Sequence, residues 1–129
     1  PLFRSMASGR HPMFKDPSAY KKIYLACGYT DLRFGIDGLA QQVESVFQLD
    51  PFDEGTLFLF CGRKKNRVKG LLWEGDGFLL LYKRLENGRF QWPMDRSEMA
   101  LLKPEEFDRL VHGLSVYSTI RSSSARAIG

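Results

Sequence analysis

Residues 56–93, TLFLFCGRKKNRVKGLLWEGDGFLLLYKRLENGRFQWP, restrict what this chain can fold into more than any other stretch. Apolar runs of strand length at 57–61, 71–73, 78–82 and 90–92 alternate with short polar breaks that carry turn residues. Two breaks contain Asp76-Gly77 and Asn87-Gly88, dipeptides that accept positive φ at low cost, as tight hairpin turns require. A third break is of another kind: five of the seven residues from Arg63 to Lys69 are basic and none is acidic. The pattern predicts a four-stranded antiparallel meander with a cationic loop at one hairpin tip. In 56–61 and 78–82 both alternating sets of side chains are apolar, so the sheet is expected to be covered on both faces.

The rest of the chain supplies the cover. Residues 22–27 (KIYLAC) predict a first strand, ended by Gly28. Leu39, Val43, Val46 and Phe47 fall at helical spacing, which predicts a helix over about 37–49. Thr30 and Asp37 are its N-cap candidates, and Asp50-Pro51 stops it, because the residue before proline is pushed out of the α region. Residues 94–102 read as irregular. Pro104 followed by Glu105 and Glu106 opens a second helix over 104–112, with Phe107, Leu110, Val111 and Leu114 on its apolar face and Gly113 as its stop. The expectation is a single α+β domain over 21–115: a mostly antiparallel sheet of about five strands packed with two helices. Residues 1–20, rich in Pro, Ser and Gly, read as a flexible lead-in, and 116–129 as a flexible polar tail.

Composition bounds the function classes. The apolar and charged fractions, 43% and 26%, are those of an ordinary globular chain. No run approaches the roughly 18 apolar residues of a membrane span, and no signal-peptide pattern is visible. A cytoplasmic location is the expectation. The net charge is only +4, but residues 62–93 hold eight basic residues against three acidic ones, while the remainder is nearly neutral. A local basic surface favours an anionic partner such as nucleic acid; the competing reading is a solvated tip that keeps a sheet edge from aggregating. Cys27 and Cys61 lie in apolar runs without a CxxC pair and are expected to be buried reduced thiols. His11 and His112 lack ligand-spaced neighbours, so no structural zinc is expected.

Several stretches together resemble a known family. Tyr24-Leu25-Ala26-Cys27-Gly28-Tyr29-Thr30-Asp31-Leu32-Arg33, Gly35-Ile36-Asp37-Gly38-Leu39-Ala40 and Leu49-Asp50-Pro51-Phe52 carry the first half of the likeness. Leu57-Phe58-Leu59-Phe60-Cys61-Gly62-Arg63, Trp73-Glu74-Gly75-Asp76-Gly77-Phe78 and the run from Tyr82 to Pro93 carry the second. Over about residues 21–115 the chain resembles the TnpB-type accessory protein, the second open reading frame, of bacterial insertion sequences of family sixty-six. That resemblance implies an assistant to a separate DDE-type transposase, with no catalytic residues to carry over. Phe34 departs from the small or basic residue expected there, which trims the basic surface near Arg33. Residues 1–12 precede the resembling region and receive no functional weight.

The candidate chemistry is therefore binding. Arg63, Lys64, Lys65, Arg67 and Lys69, helped by Lys83, Arg84, Arg89 and Arg33, are the residues expected to follow a phosphate backbone. Such contacts position a protein but carry little sequence information. Tyr82, Phe90 and Trp92 could stack on exposed bases if they face outward, although core packing is the preferred reading for them and for Trp73. No cofactor, metal or catalytic group is expected. The carboxylates Asp31, Asp37, Glu74 and Asp76 could in principle hold two metals for phosphodiester chemistry, but nothing in their spacing forces them together. There is no GxSxG elbow, no GxxxxGK[ST] loop and no GxGxxG fingerprint. A rival of another class is a protein scaffold, docking the transposase, another accessory protein or a second copy as a homodimer through a sheet edge.

Overall fold

A computed structural model describes residues 16–113. The expectations for flexible ends at 1–15 and 116–129, and Leu114 on the second helix, lie outside the described residues. The fold is α+β. Five strands, β1 (Lys22–Ala26), β2 (Thr56–Cys61), β3 (Arg67–Trp73), β4 (Phe78–Arg84) and β5 (Met99–Leu102), form one sheet in the order β4-β3-β2-β1-β5. Three pairings are antiparallel, and β1 runs parallel to β2. That parallel pair needs a crossover, which is the helical segment between them.

The crossover helix α1 (Ile36–Gln41) continues as a π turn over Gln42–Val46, where Phe47 donates to the carbonyl of Gln42. Its N-cap is Gly35, not Thr30 or Asp37, and no side chain caps it. Asp31 instead accepts from the amide of Arg33 and builds the turn that leads into the helix. Leu39 and Val43 seat on Phe58, Phe60 and Leu71, with Phe47 packed beside them, as the apolar period predicts, whereas Val46, expected on the same face, is 55% exposed. The second helix, α2 (Pro104–Val111), covers the opposite face. Its first turn is tied by the Lys103 amide donating to Glu106 Oε1 at 2.7 Å.

Two expectations along the chain are corrected. The meander has three strands, not four. After the turn at Gly88 (φ +81°) the chain does not return beside β4. It crosses below the α2 face of the sheet, where Phe90 and Trp92 are buried with Phe107 and Leu110, and the Trp92 indole donates to the Ala26 carbonyl at 2.8 Å. The alternation of Phe90, Gln91 and Trp92 is real, but it reports burial of two rings and not a strand pairing. The fifth strand comes from residues 99–102, within the stretch read as irregular. The β3–β4 turn also differs in detail: positive φ falls on Gly75 (+94°), the first central residue, and not on Asp76-Gly77. Within the segment read as a lead-in, Pro17–Ala19 form a 3₁₀ turn and the Tyr20 ring meets Phe107 edge-on at 6.2 Å.

Candidate nucleic-acid interface

The cationic break forms a loop of residues 62–66 between β2 and β3. Gly62 donates to Arg67 and Lys65 to Gly62, and Lys65 takes a left-handed conformation (φ +63°) to close the turn. A second loop, 28–34, lies alongside. It leaves β1 at Gly28 (φ +84°), and Thr30 donates to the Cys61 carbonyl at 2.8 Å. Gly62 permits the close approach: a Cβ there would meet Leu32 Cδ1 at 3.1 Å. Between the two loops and the ends of β3 and β4 runs an open groove of about 800 Å³.

Five of the nine predicted cations line that groove: Arg33, Arg63, Lys64, Arg67 and Lys69. Their roles differ. Lys69 is a clamp. Its ammonium donates to the carbonyls of Leu32 (2.6 Å) and Phe34 (2.9 Å), which commits two of its three protons to holding loop 28–34 against the sheet. Arg33 is neutralised by a fork-to-fork pair with Asp31, Nε to Oδ1 at 3.0 Å and Nη2 to Oδ2 at 2.8 Å. The Arg33 guanidinium holds the Asp31 carboxyl down to about 2. Arg63 lies over the Tyr29 ring, its guanidinium carbon 3.9 Å from the centroid, and also donates to the Tyr29 hydroxyl. Lys64 and Arg67 are exposed and make no ion pair with any described residue.

The other four stand apart. Lys83 is on the α2 face, beside Val68, Phe90 and Phe107, because strand alternation turns it away from Tyr82. Arg84 shares the groove face, but it pairs with Glu86 at 3.0 Å and does not line the groove. Lys65 and Arg89 also lie outside it.

Two tyrosines complete the site. Tyr82, for which core packing is the expectation, is 52% exposed and forms part of the groove wall. Tyr29, 54% exposed, is a site residue that sequence reasoning missed; its only signal there is its place in the Gly28-to-Arg33 run of the family likeness. Phe90 and Trp92 are buried. The four carboxylates weighed as metal ligands are not gathered. Asp31 is at the groove, while Glu74 and Asp76 are beyond the far end of β3, roughly 20 Å along a seven-residue strand. Cys27 and Cys61 are free thiols buried in the α2-side core, and burial pushes Cys61 up to about 12.

The arrangement is an open, positively charged trough with two exposed phenol rings. Comparison with known proteins gives it a context. Two relatives, both from Sinorhizobium fredii (strain NBRC 101917 / NGR234), are the uncharacterized proteins y4hO and y4jC. The first is 37% identical over 72% of this chain and 80% of its own length. The second is 36% identical over 76% of this chain and 83% of its own length. No solved structure matches the chain. A family model described as "IS66 Orf2 like protein" matches residues 21–121. The chain belongs to that family.

Proposed function

We propose that this chain is a non-catalytic accessory protein of DNA transposition that binds DNA through the groove and assists a separate DDE-type transposase. Family membership supports the accessory role. The observation that carries the DNA reading is the convergence of Arg63, Lys64 and Arg67 with Tyr29 and Tyr82 in one open trough. Lys64 and Arg67 are the phosphate contacts, since neither charge is already compensated by a described carboxylate. Arg63, held by Tyr29, supplies a positioned guanidinium. Each phosphate neutralised releases counterions, so affinity falls steeply with salt. Tyr82 offers a π face to unpaired bases at a nicked or frayed element end, while one face of Tyr29 already carries the Arg63 guanidinium. Nothing in the groove reads base edges in a duplex, so sequence choice falls to the transposase.

The test is fluorescence anisotropy with labelled duplex and partly single-stranded DNA across a salt series. Replacing Arg63, Lys64 and Arg67 together with alanine reduces the slope of log K against log salt by about 3, at about 0.9 for each phosphate left without its cation. The melting temperature stays nearly unchanged. Wild-type salt dependence in that folded variant overturns the assignment and favours a scaffold that docks the transposase without touching DNA.

A further inference from the structure

We propose that β4 is the seam of a homodimer, pairing antiparallel with β4 of a second copy to make one continuous ten-stranded sheet. Strand β4 is an edge of the sheet, seven residues long, and its first five residues (FLLLY) carry no charge. Phe78, Leu79, Leu80 and Leu81 are each only half-buried. The other edge, β5, has only four residues. Long, apolar, uninterrupted edges template pairing with another chain, and proteins that stay monomeric blunt them with charges, prolines or bulges. Here the charges are confined to the last two residues, Lys83 and Arg84.

The backbone of β4 offers a defined set of bonds. The Glu74 amide donates to Gly77 at one end of the β3–β4 ladder, and Leu85 donates to Asn66 at the other. By antiparallel alternation between those ends, Leu79, Leu81 and Lys83 bond inward to β3. The amides and carbonyls of Phe78, Leu80, Tyr82 and Arg84 then point outward, and no described residue bonds them.

Charge selects a second copy as the occupant. Strand β4 starts beside the acidic turn holding Glu74 and Asp76, and it ends in the segment from Lys83 to Arg89, where three basic residues stand against the single carboxylate of Glu86 and leave a net positive charge. It is therefore its own electrostatic complement when antiparallel, and it meets like with like when parallel. Full overlap sets Leu81 on the two-fold axis, Leu80 opposite the partner's Tyr82, and Phe78 opposite the partner's Arg84. Such an interface is isologous and closes at two. It also places both basic grooves on one face of the joined sheet, because a two-fold axis perpendicular to the sheet preserves its faces.

The experiment uses the full chain. Sedimentation velocity gives its mass, and Leu81→Cys is oxidised mildly and run on a non-reducing gel. Leu81 on the axis forms a non-hydrogen-bonded pair with its Cα atoms about 4.5 Å apart, within disulfide reach. Leu79→Cys is the control, because its two copies stand roughly 13 Å apart in this register. The buried Cys27 and Cys61 stay silent. A dimer that crosslinks through Cys at 81 and not at 79 supports the seam. Tyr82→Pro removes an outward amide while sparing the β3 ladder, so it yields a monomer with an unchanged circular dichroism spectrum. A monomeric wild type at every concentration overturns the proposal. So does a dimer that the Leu81→Cys variant fails to crosslink, or one that a folded Tyr82→Pro variant retains.

Discussion

The two ends of the β3–β4 hairpin, on the same face of the sheet, put aromatic rings to opposite uses. At the groove end, Tyr29 and Tyr82 stand more than half exposed among cations. At the turn end, Phe52, Trp73 and Phe78 pack on one another, with ring centroids 4.9 to 5.1 Å apart, and the difference lies in that packing, since Phe52 is itself 52% exposed. The charges are opposite as well. The turn end carries Asp50, Asp53, Glu54, Glu74 and Asp76, and Asp53 is satisfied locally by Lys21 (3.3 Å), Lys22 (3.5 Å) and the Thr56 hydroxyl (2.8 Å). What separates the ends is the path of the crossover. It closes over the turn end, where Asp50 accepts from the Phe52 amide and aims that ring at Trp73. At the other end only a loop passes by, and the sheet face stays open. Aromatic content therefore stabilises one end and is left available at the other.

Three experiments sharpen that contrast. The largest effect is expected from Trp73→Ala. Removing a half-buried ring from the three-ring cluster costs about 2–3 kcal/mol, below the 3–5 of a fully buried aromatic, read by thermal or urea unfolding. DNA affinity of the folded fraction stays at the wild-type value. A large loss of affinity there would merge the two ends into one site. Next is Lys69→Met, which keeps the stem and removes the ammonium from the Leu32 and Phe34 carbonyls. Leaving those part-buried acceptors without a donor costs about 1–2 kcal/mol. It also frees loop 28–34, so affinity drops together with stability, unlike the Arg63/Lys64/Arg67 variant, which separates the two. Preserved affinity in Lys69→Met would show that the loop wall plays no part in binding.

The smallest effect is electrostatic. Asp31 is held at about 2 by Arg33, below the ordinary carboxylate value. A depressed folded value means that its contribution is present above the unfolded pKa and is lost as pH falls through the folded one. The tie therefore survives at pH 4 and loosens toward pH 2. An NMR titration of the Asp31 carboxyl should show a midpoint near 2, and Arg33→Gln should return it toward the usual range. At the turn end Asp53 is also held low, chiefly by the Thr56 hydroxyl, and Thr56→Val should release it while leaving Asp31 unmoved. A common response of both carboxyls would contradict the independence of the two ends.

Much of the fold was legible. The apolar runs at 57–61, 71–73 and 78–82 are β2, β3 and β4, and the helical period of Leu39 and Val43 is the crossover that packs on them. Burial of β2 on both faces follows from its lack of alternation; all six residues are buried. Residues 90–92 misled because period two marks any extended segment with one buried side, whether or not a neighbour pairs with it. The strand at 99–102 was missed because four residues carry too little pattern to stand out from a loop. The site was half legible. Clustering of positive charge marked the 62–69 hairpin, yet charge in sequence says nothing about which cations are already spent on a carbonyl or a carboxylate.

By itself, then, the sequence determined four of the five strands, the two helical segments, the burial of β2 on both faces, and the cationic tip of one hairpin. These follow from local periodicity and turn chemistry, which act over a few residues. The tertiary structure alone decided that Tyr29 joins Arg33, Arg63, Lys64 and Arg67 while Lys65, Lys83, Arg84 and Arg89 do not, that Lys69 serves as a clamp, and that Tyr82 faces out. Those outcomes depend on the parallel pairing of β1 with β2, which brings loop 28–34 beside residues more than thirty positions away. A pairing at that separation is chosen by the whole core, through the area it buries and the chain entropy it costs, and leaves no mark in any single stretch of sequence.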